Sequence, residues 1–133
     1  MRTGLLAAVL TMIMAFVAQA QEAEIRGTID SQIEAFKADD FAGAFGFASP
    51  ALQTIFRTPE NFQRMVTEGY PMVWRPGNVR YLDLREIAGA YWQKVMITDQ
   101  EGRVHLLDYR MVETEAGWRI SGVQLLETPG ASV

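Results

Sequence analysis

The side chains in this sequence with the chemistry to act on a substrate are few. His105 is the single histidine and there is no cysteine. A thiol nucleophile, an iron–sulfur centre, a cysteine zinc site and a multi-histidine metal site are therefore all excluded, and no metal is expected. Nothing in the sequence asks for a cofactor. As a general base, His105 would need an orienting carboxylate. Asp108 lies three positions along the same strand pattern, which puts it on the opposite face; no His105–Asp108 dyad is expected, and His105 reads as a rim histidine. Asp108 and Arg110 do share a face, with Val104, Leu106 and Val112. On the concave face of a sheet they would be recognition groups or an acid of shifted pKa in an apolar cavity; on any other face they would be an ordinary ion pair, and the pair is the expectation.

Two further sets carry possible chemistry. Asp39 and Asp40 could place one acid in a cavity, since adjacent helical residues diverge by about 100°; the cap preference makes Asp40 or Asp39 a helix opener first. Tyr91, Trp92, Tyr109 and Trp118 put aromatic surface on neighbouring strands, and Tyr70, Trp74 and Arg75 precede Pro76 at the passage from helices to strands. Tyr91, Trp92, Tyr109, Arg110 and Trp74 are the candidate ligand-binding residues for a small apolar or aromatic ligand. Asp108, His105 and Asp40 are the candidate acid–base groups of the alternative, an isomerase- or dehydratase-type enzyme.

The elements that must position these groups can be read from periodicity. Apolar residues at 25, 29, 33 and 36 alternate with Glu24, Arg26, Asp30, Glu34 and Lys37, a helix with one buried stripe. A second short helix carries Phe41, Ala44, Phe45 and Ala48 on one face. Ser49-Pro50 and Thr58-Pro59 each place a hydroxyl before a proline, which fits the N-cap and first helical positions. No Gly-x-Ser-x-Gly elbow surrounds Ser49, so it is read as a cap and not a nucleophile. The helix opened by Thr58 carries Phe62, Met65 and Val66 inward, with Gly69 as its stop. After the turn cluster Pro76-Gly77-Asn78, the period changes to two. Residues 79–86, 90–98, 103–113 and 118–126 read as four strands, the last three joined by short Gly-containing turns into an antiparallel meander. The expected fold is α+β: N-terminal helices packed on a curved, mainly antiparallel four-stranded sheet.

The first residues address the compartment. Arg2, an uncharged run over 4–18 and Ala18-Gln19-Ala20 have the layout of a secretory signal peptide. The run falls short of the roughly 20 apolar residues of a membrane span, so a leader over 1–20 and a single domain over 21–133 are expected, with no anchoring after cleavage. The domain would be periplasmic or secreted. The formal net charge of −4 becomes more negative once Arg2 is lost. An acidic surface of this kind does not suit nucleic acid. Without disulfides, the domain must be held by its own core.

Order and size resemble the nuclear-transport-factor-2-like (SnoaL-like, cystatin-like) cone. More specifically, Phe47-Ala48-Ser49-Pro50, Thr58-Pro59-Glu60-Asn61-Phe62, Met65-Val66, Gly69-Tyr70, Arg75-Pro76 and Gly117-Trp118-Arg119-Ile120 resemble a family of small secreted bacterial proteins, domain-of-unknown-function family 4864. That resemblance spans the mature chain and implies kinship without an activity or catalytic residues. In the cone fold, strand aromatics line a pocket. The expected role is a non-enzymatic module binding a small ligand or a protein, with the outer sheet as the surface for a homodimer.

Overall fold

The computed structural model describes residues 2–126. Helix α1 runs from Arg2 to Lys37. Its stripe is buried as the spacing requires: Ile25, Ile29, Ile33 and Phe36 are all within 3 % of full burial. The helix begins well upstream of Ile25, because residues 18–24 contain neither glycine nor proline to stop it. Residues 11–20 extend it with every side chain exposed. Among the described residues, no helix is long and apolar enough to cross a membrane.

The chain leaves α1 through Asp39, whose φ of 57° is left-handed. Asp40 then caps α2 (Phe41–Phe45), its carboxylate accepting from the Gly43 amide at 3.0 Å. Ala48, expected on the α2 helix, instead forms a parallel bridge with Ile120 of the sheet. The Ser49 amide donates to the Ile120 carbonyl at 2.8 Å, and the Ile120 amide to the Phe47 carbonyl at 2.9 Å. Two of the segments that mark the family resemblance therefore meet in space: Phe47 to Ser49 is stitched to Trp118 to Ile120.

Both hydroxyl–proline pairs open helices. Ser49 Oγ accepts from the Leu52 amide at 3.3 Å to start α3 (Pro50–Phe56), and Thr58 Oγ1 accepts from the Asn61 amide at 3.2 Å to start α4 (Pro59–Gly69). Thr58→Ala is expected to cost about 1 kcal/mol, the usual worth of such a cap; a denaturant midpoint indistinguishable from wild type would contradict this. Gly69 does not end α4 by a left-handed turn. The helix stops because Tyr70 leaves with φ −136°, after which Pro71 opens a further short helix, α5 (Pro71–Trp74).

The expected turn at Pro76-Gly77-Asn78 is instead the start of strand β1 (Pro76–Ile87). Proline is tolerated there as the first residue of an edge strand. Glycine is required by close approach: a Cβ on Gly77 would lie 2.8 Å from the Asp99 carbonyl oxygen. A register irregularity between Tyr81 and Leu84 breaks the alternation of β1, which is why its period is weak in sequence. Strands β2 (Ala90–Asp99), β3 (Val104–Thr114) and β4 (Gly117–Leu126) complete an antiparallel sheet in the order β1-β2-β3-β4. The β1–β2 hairpin turns through Ala88 and Gly89, both with positive φ, as two-residue hairpins demand.

The helices cover one face of this sheet. Val95, Ile97, Leu107, Tyr109, Met111, Trp118 and Ile120 project into the core with the α1 stripe and Phe41, Phe45 and Phe62. Polar bonds fix the layers: Thr28 Oγ1 of α1 donates to the Trp118 carbonyl at 3.1 Å, and the Tyr81 hydroxyl donates to Asp30 Oδ1 at 2.5 Å. The architecture is the α+β arrangement expected from the order of elements.

Candidate functional site

Between the helical layer and the inner face of the sheet lies a cavity of about 310 Å³. The elements above account for its walls. Gln32 and Phe36 come from α1, Leu52 and Phe56 from α3, Phe62, Met65 and Val66 from α4, and Tyr70 and Val73 from the α4–α5 passage. The sheet contributes Tyr109 from β3 and Ile120, Gly122 and Val123 from β4. No Asp, Glu, Lys, Arg or His is among these lining residues.

Three polar side chains face this apolar space. Gln32 is buried, and its amide nitrogen donates to the Ala44 carbonyl at 3.1 Å. The Tyr70 hydroxyl donates to the Val123 carbonyl at 3.3 Å. Tyr109 is 1 % exposed, and its hydroxyl makes no hydrogen bond to another described residue. Burial, with a small contribution from the neighbouring Tyr70, pushes its ionisation well above the usual tyrosine range. It is therefore a neutral phenol with a donor to offer.

The structure separates the residues that share chemistry in the sequence. Strand alternation puts Leu107, Tyr109 and Met111 on the inner face, so Asp108 and Arg110 belong to the outer one. The Asp108–Arg110 pair expected from their shared face does not form. The Asp108 carboxylate accepts from both terminal guanidinium nitrogens of Arg85, Nη1 at 2.9 Å and Nη2 at 2.7 Å. Residues two apart on one strand stand about 7 Å apart with nearly parallel side chains, whereas Arg85 reaches across β2 from β1 and meets Asp108 end-on. Lys94 lies directly opposite Asp108 in the β2–β3 register, and Trp92 opposite both Arg85 and Arg110. Trp92 and Arg110 are accordingly on the outer face, away from the cavity.

His105 does have a carboxylate partner. Asp99, at the end of β2, approaches its Nε2 at 2.9 Å. Asp99 stands two positions beyond Ile97, the residue opposite His105, so it shares that face as a diagonal neighbour that only the β2–β3 register reveals. The same carboxylate also accepts from the Glu101 and Arg103 amides, each at 2.9 Å. The His105 bond, followed by these turn bonds, holds Asp99 below the ordinary carboxylate range. The pair borders a surface cleft with Met72, Arg75 and Arg103, separate from the cavity.

Asp40 is spent on its exposed cap, while Asp39 accepts from Trp74 Nε1 at 2.9 Å and Arg75 Nη2 at 2.7 Å. Those two bonds, Trp74 first, lower the Asp39 pKa. Trp74 thus closes the junction between α1 and α5, with Arg75 4.3 Å from its ring centroid. Tyr91 is on the inner face but at the far end of the sheet. Its ring meets Trp118 edge-on at 5.4 Å, and it borders a more polar groove between α1 and β1. Of the five candidate ligand-binding residues, Tyr109 alone lines the cavity. Among the described residues no three metal-ligating side chains converge.

The helical side of the cavity is half legible in the sequence. The spacing turns Phe62, Met65 and Val66 inward, and Tyr70 falls at the passage from helices to strands; Gln32 and Leu52 carry no signal, because a polar residue and a half-exposed leucine satisfy ordinary helix patterns equally well.

These features define a class: a helical layer folded over an antiparallel meander, with an apolar cavity between them. The chain belongs to the family described as "Domain of unknown function (DUF4864)", whose model matches residues 18–133. Among solved structures it is similar to an NTF-2-like protein of unknown function from Burkholderia xenovorans LB400, at 14% identity and a TM-score of 0.46, over 83% of this chain and 91% of that one. No curated protein matches the sequence.

Proposed function

We propose that this domain is an exported, non-catalytic module that holds a small apolar or aromatic ligand between its helices and its sheet. The observation that carries this reading is the cavity itself. At about 310 Å³ it falls in the size range of ligand pockets, and its lining is apolar apart from Gln32, Tyr70 and Tyr109. The acid–base alternative requires a carboxylate or imidazole at the reacting centre. Asp40, His105 and Asp108 each have another partner outside the cavity, so binding is the better-supported reading.

Export rests on the leader pattern of residues 1–20. In support, residues 11–20 project from the domain with exposed side chains, and the family match begins at residue 18. Self-association would use the outer sheet face, which the helices leave uncovered and where Val104 and Val112 are exposed.

Native mass spectrometry of the protein expressed with its leader tests these points together. The expected species begins at Gln21 and carries a small-molecule adduct. Full-length protein would defeat the export reading, and a bare chain that also takes up no hydrophobic probe would defeat the ligand reading. Leu52→Trp should occlude the cavity from a half-exposed position, weakening binding of a neutral aromatic probe at least tenfold while the melting temperature changes little. Undiminished binding by that variant would place the ligand elsewhere.

A further inference from the structure

The polar inventory of the cavity goes further than its size and says which chemistry it accepts. Three hydrogen-bonding side chains line it, and Gln32 and Tyr70 each spend a donor within the protein, Gln32 keeping its second amide hydrogen. Gln32 Nε2 is anchored on the Ala44 carbonyl and the Tyr70 hydroxyl on the Val123 carbonyl. Tyr109 also lines the cavity, and its hydroxyl is bonded to no other described residue. The hydroxyl is not sealed inside the protein without a partner, as Arg26 Nε and Gln93 Oε1 are, but keeps accessible surface, and a donor so placed can bond what enters the space it faces. Here the space in front of it is where a ligand would sit.

Charge provides the second constraint. No ionisable side chain other than the two tyrosines lines the cavity. A carboxylate or ammonium entering it would lose its hydration and gain no counter-ion, a transfer that apolar surroundings penalise heavily. A pure hydrocarbon would fit the walls and leave Tyr109 unsatisfied. A molecule with an acceptor oxygen would satisfy it.

We infer that the cavity selects a neutral, largely apolar molecule bearing one carbonyl oxygen, which accepts a hydrogen bond from the Tyr109 hydroxyl. This inference rests on the reading of the cavity as a ligand site and adds the chemical class of the ligand. Tyr109 is a recognition residue in it. The remainder of the molecule would lie against Phe36, Phe56, Phe62 and Met65, where aromatic and thioether surfaces favour a ring.

Three probes of one skeleton separate the contributions: indane, 1-indanone and indane-1-carboxylate, titrated calorimetrically into the purified protein and its Tyr109→Phe variant. For the wild type, 1-indanone should bind about tenfold tighter than indane, the net worth of one good buried hydrogen bond. The carboxylate should bind at least 100-fold more weakly than the ketone. Tyr109→Phe should bring the ketone down to the affinity of indane and leave indane itself unchanged, which also verifies that the variant cavity is intact. Equal binding of ketone and hydrocarbon, carboxylate binding as tight as the ketone, or a ketone preference that survives in Tyr109→Phe would overturn the inference while leaving a ligand site standing. Failure of all three probes to bind would overturn the ligand reading, and this inference with it.

Discussion

Phe36→Ala is expected to destabilise the domain by about 3–5 kcal/mol, the range for deleting a fully buried phenylalanine. The residue is 1 % exposed, and its ring lies 5.9 Å from that of Phe41 and 5.8 Å from that of Phe62. It is where α1, α2 and α4 meet, so truncation removes apolar contact from three helices together. A cysteine-free domain has no covalent staple to offset the loss, and total stabilities of about 5–15 kcal/mol are normal for a domain. Phe36 also lines the cavity, so the variant should melt early and bind ligand poorly, in contrast to Leu52→Trp. Equilibrium urea unfolding measures the cost; a value below about 1.5 kcal/mol would show that the three helices do not share this contact.

Arg85→Ala is expected to cost about 2–3 kcal/mol. Asp108 is 6 % exposed, and Arg85 supplies both of the short bonds that compensate its carboxylate. Removing one partner of a buried pair leaves an uncompensated charge, typically a loss of about 3–5 kcal/mol. The expected value is lower because the Arg85 side chain is 29% exposed and Lys94, opposite Asp108, can turn toward the orphaned carboxylate. The double variant Arg85→Met, Asp108→Leu should recover most of the loss, since an apolar pair of similar volume replaces a buried ion pair at little cost. Chemical unfolding of the two single variants and the double completes the cycle. Additive losses would mean that the two residues act independently, against the bidentate geometry.

Neither Arg85→Ala nor its rescue should alter ligand binding, because the pair stands on the outer face of the sheet. In the sequence alone Asp108 is a candidate acid, next to Tyr109 and two positions from Arg110. Its neighbour Tyr109 has the opposite orientation on β3, and one-residue parity decides which of the two can reach the cavity. The pattern of β3 shows the alternation but leaves open which set is inward. Both sets contain apolar residues: Val104, Leu106 and Val112 in one, Leu107, Tyr109 and Met111 in the other.

The outcome was determined by what packs against the sheet. The α1 stripe and the aromatic residues of α2 and α4 bury the Leu107, Tyr109 and Met111 set, leaving Asp108 to find Arg85 across two strand spacings. His105 follows the same logic in reverse. Its partner Asp99 closes the adjacent strand β2, and the β2–β3 register, which the pattern of either strand alone does not carry, brings the two together. Weak alternation in β1 likewise has its explanation in the irregularity between Tyr81 and Leu84, which no local pattern announces.

By itself the sequence determined what depends on residues close together in the chain. The buried stripe of α1, the caps at Ser49 and Thr58, the change from helical to strand period and the antiparallel meander all follow from local spacing and local hydrogen bonds. They were sufficient for the α+β class. Tertiary structure alone decided which face of the sheet is covered, which carboxylates are consumed by ion pairs and caps, and where space is left over. Those are outcomes of register and packing between segments up to ninety residues apart, as with Thr28 and Trp118. A cavity is the volume that packing leaves unfilled, so no single segment encodes it.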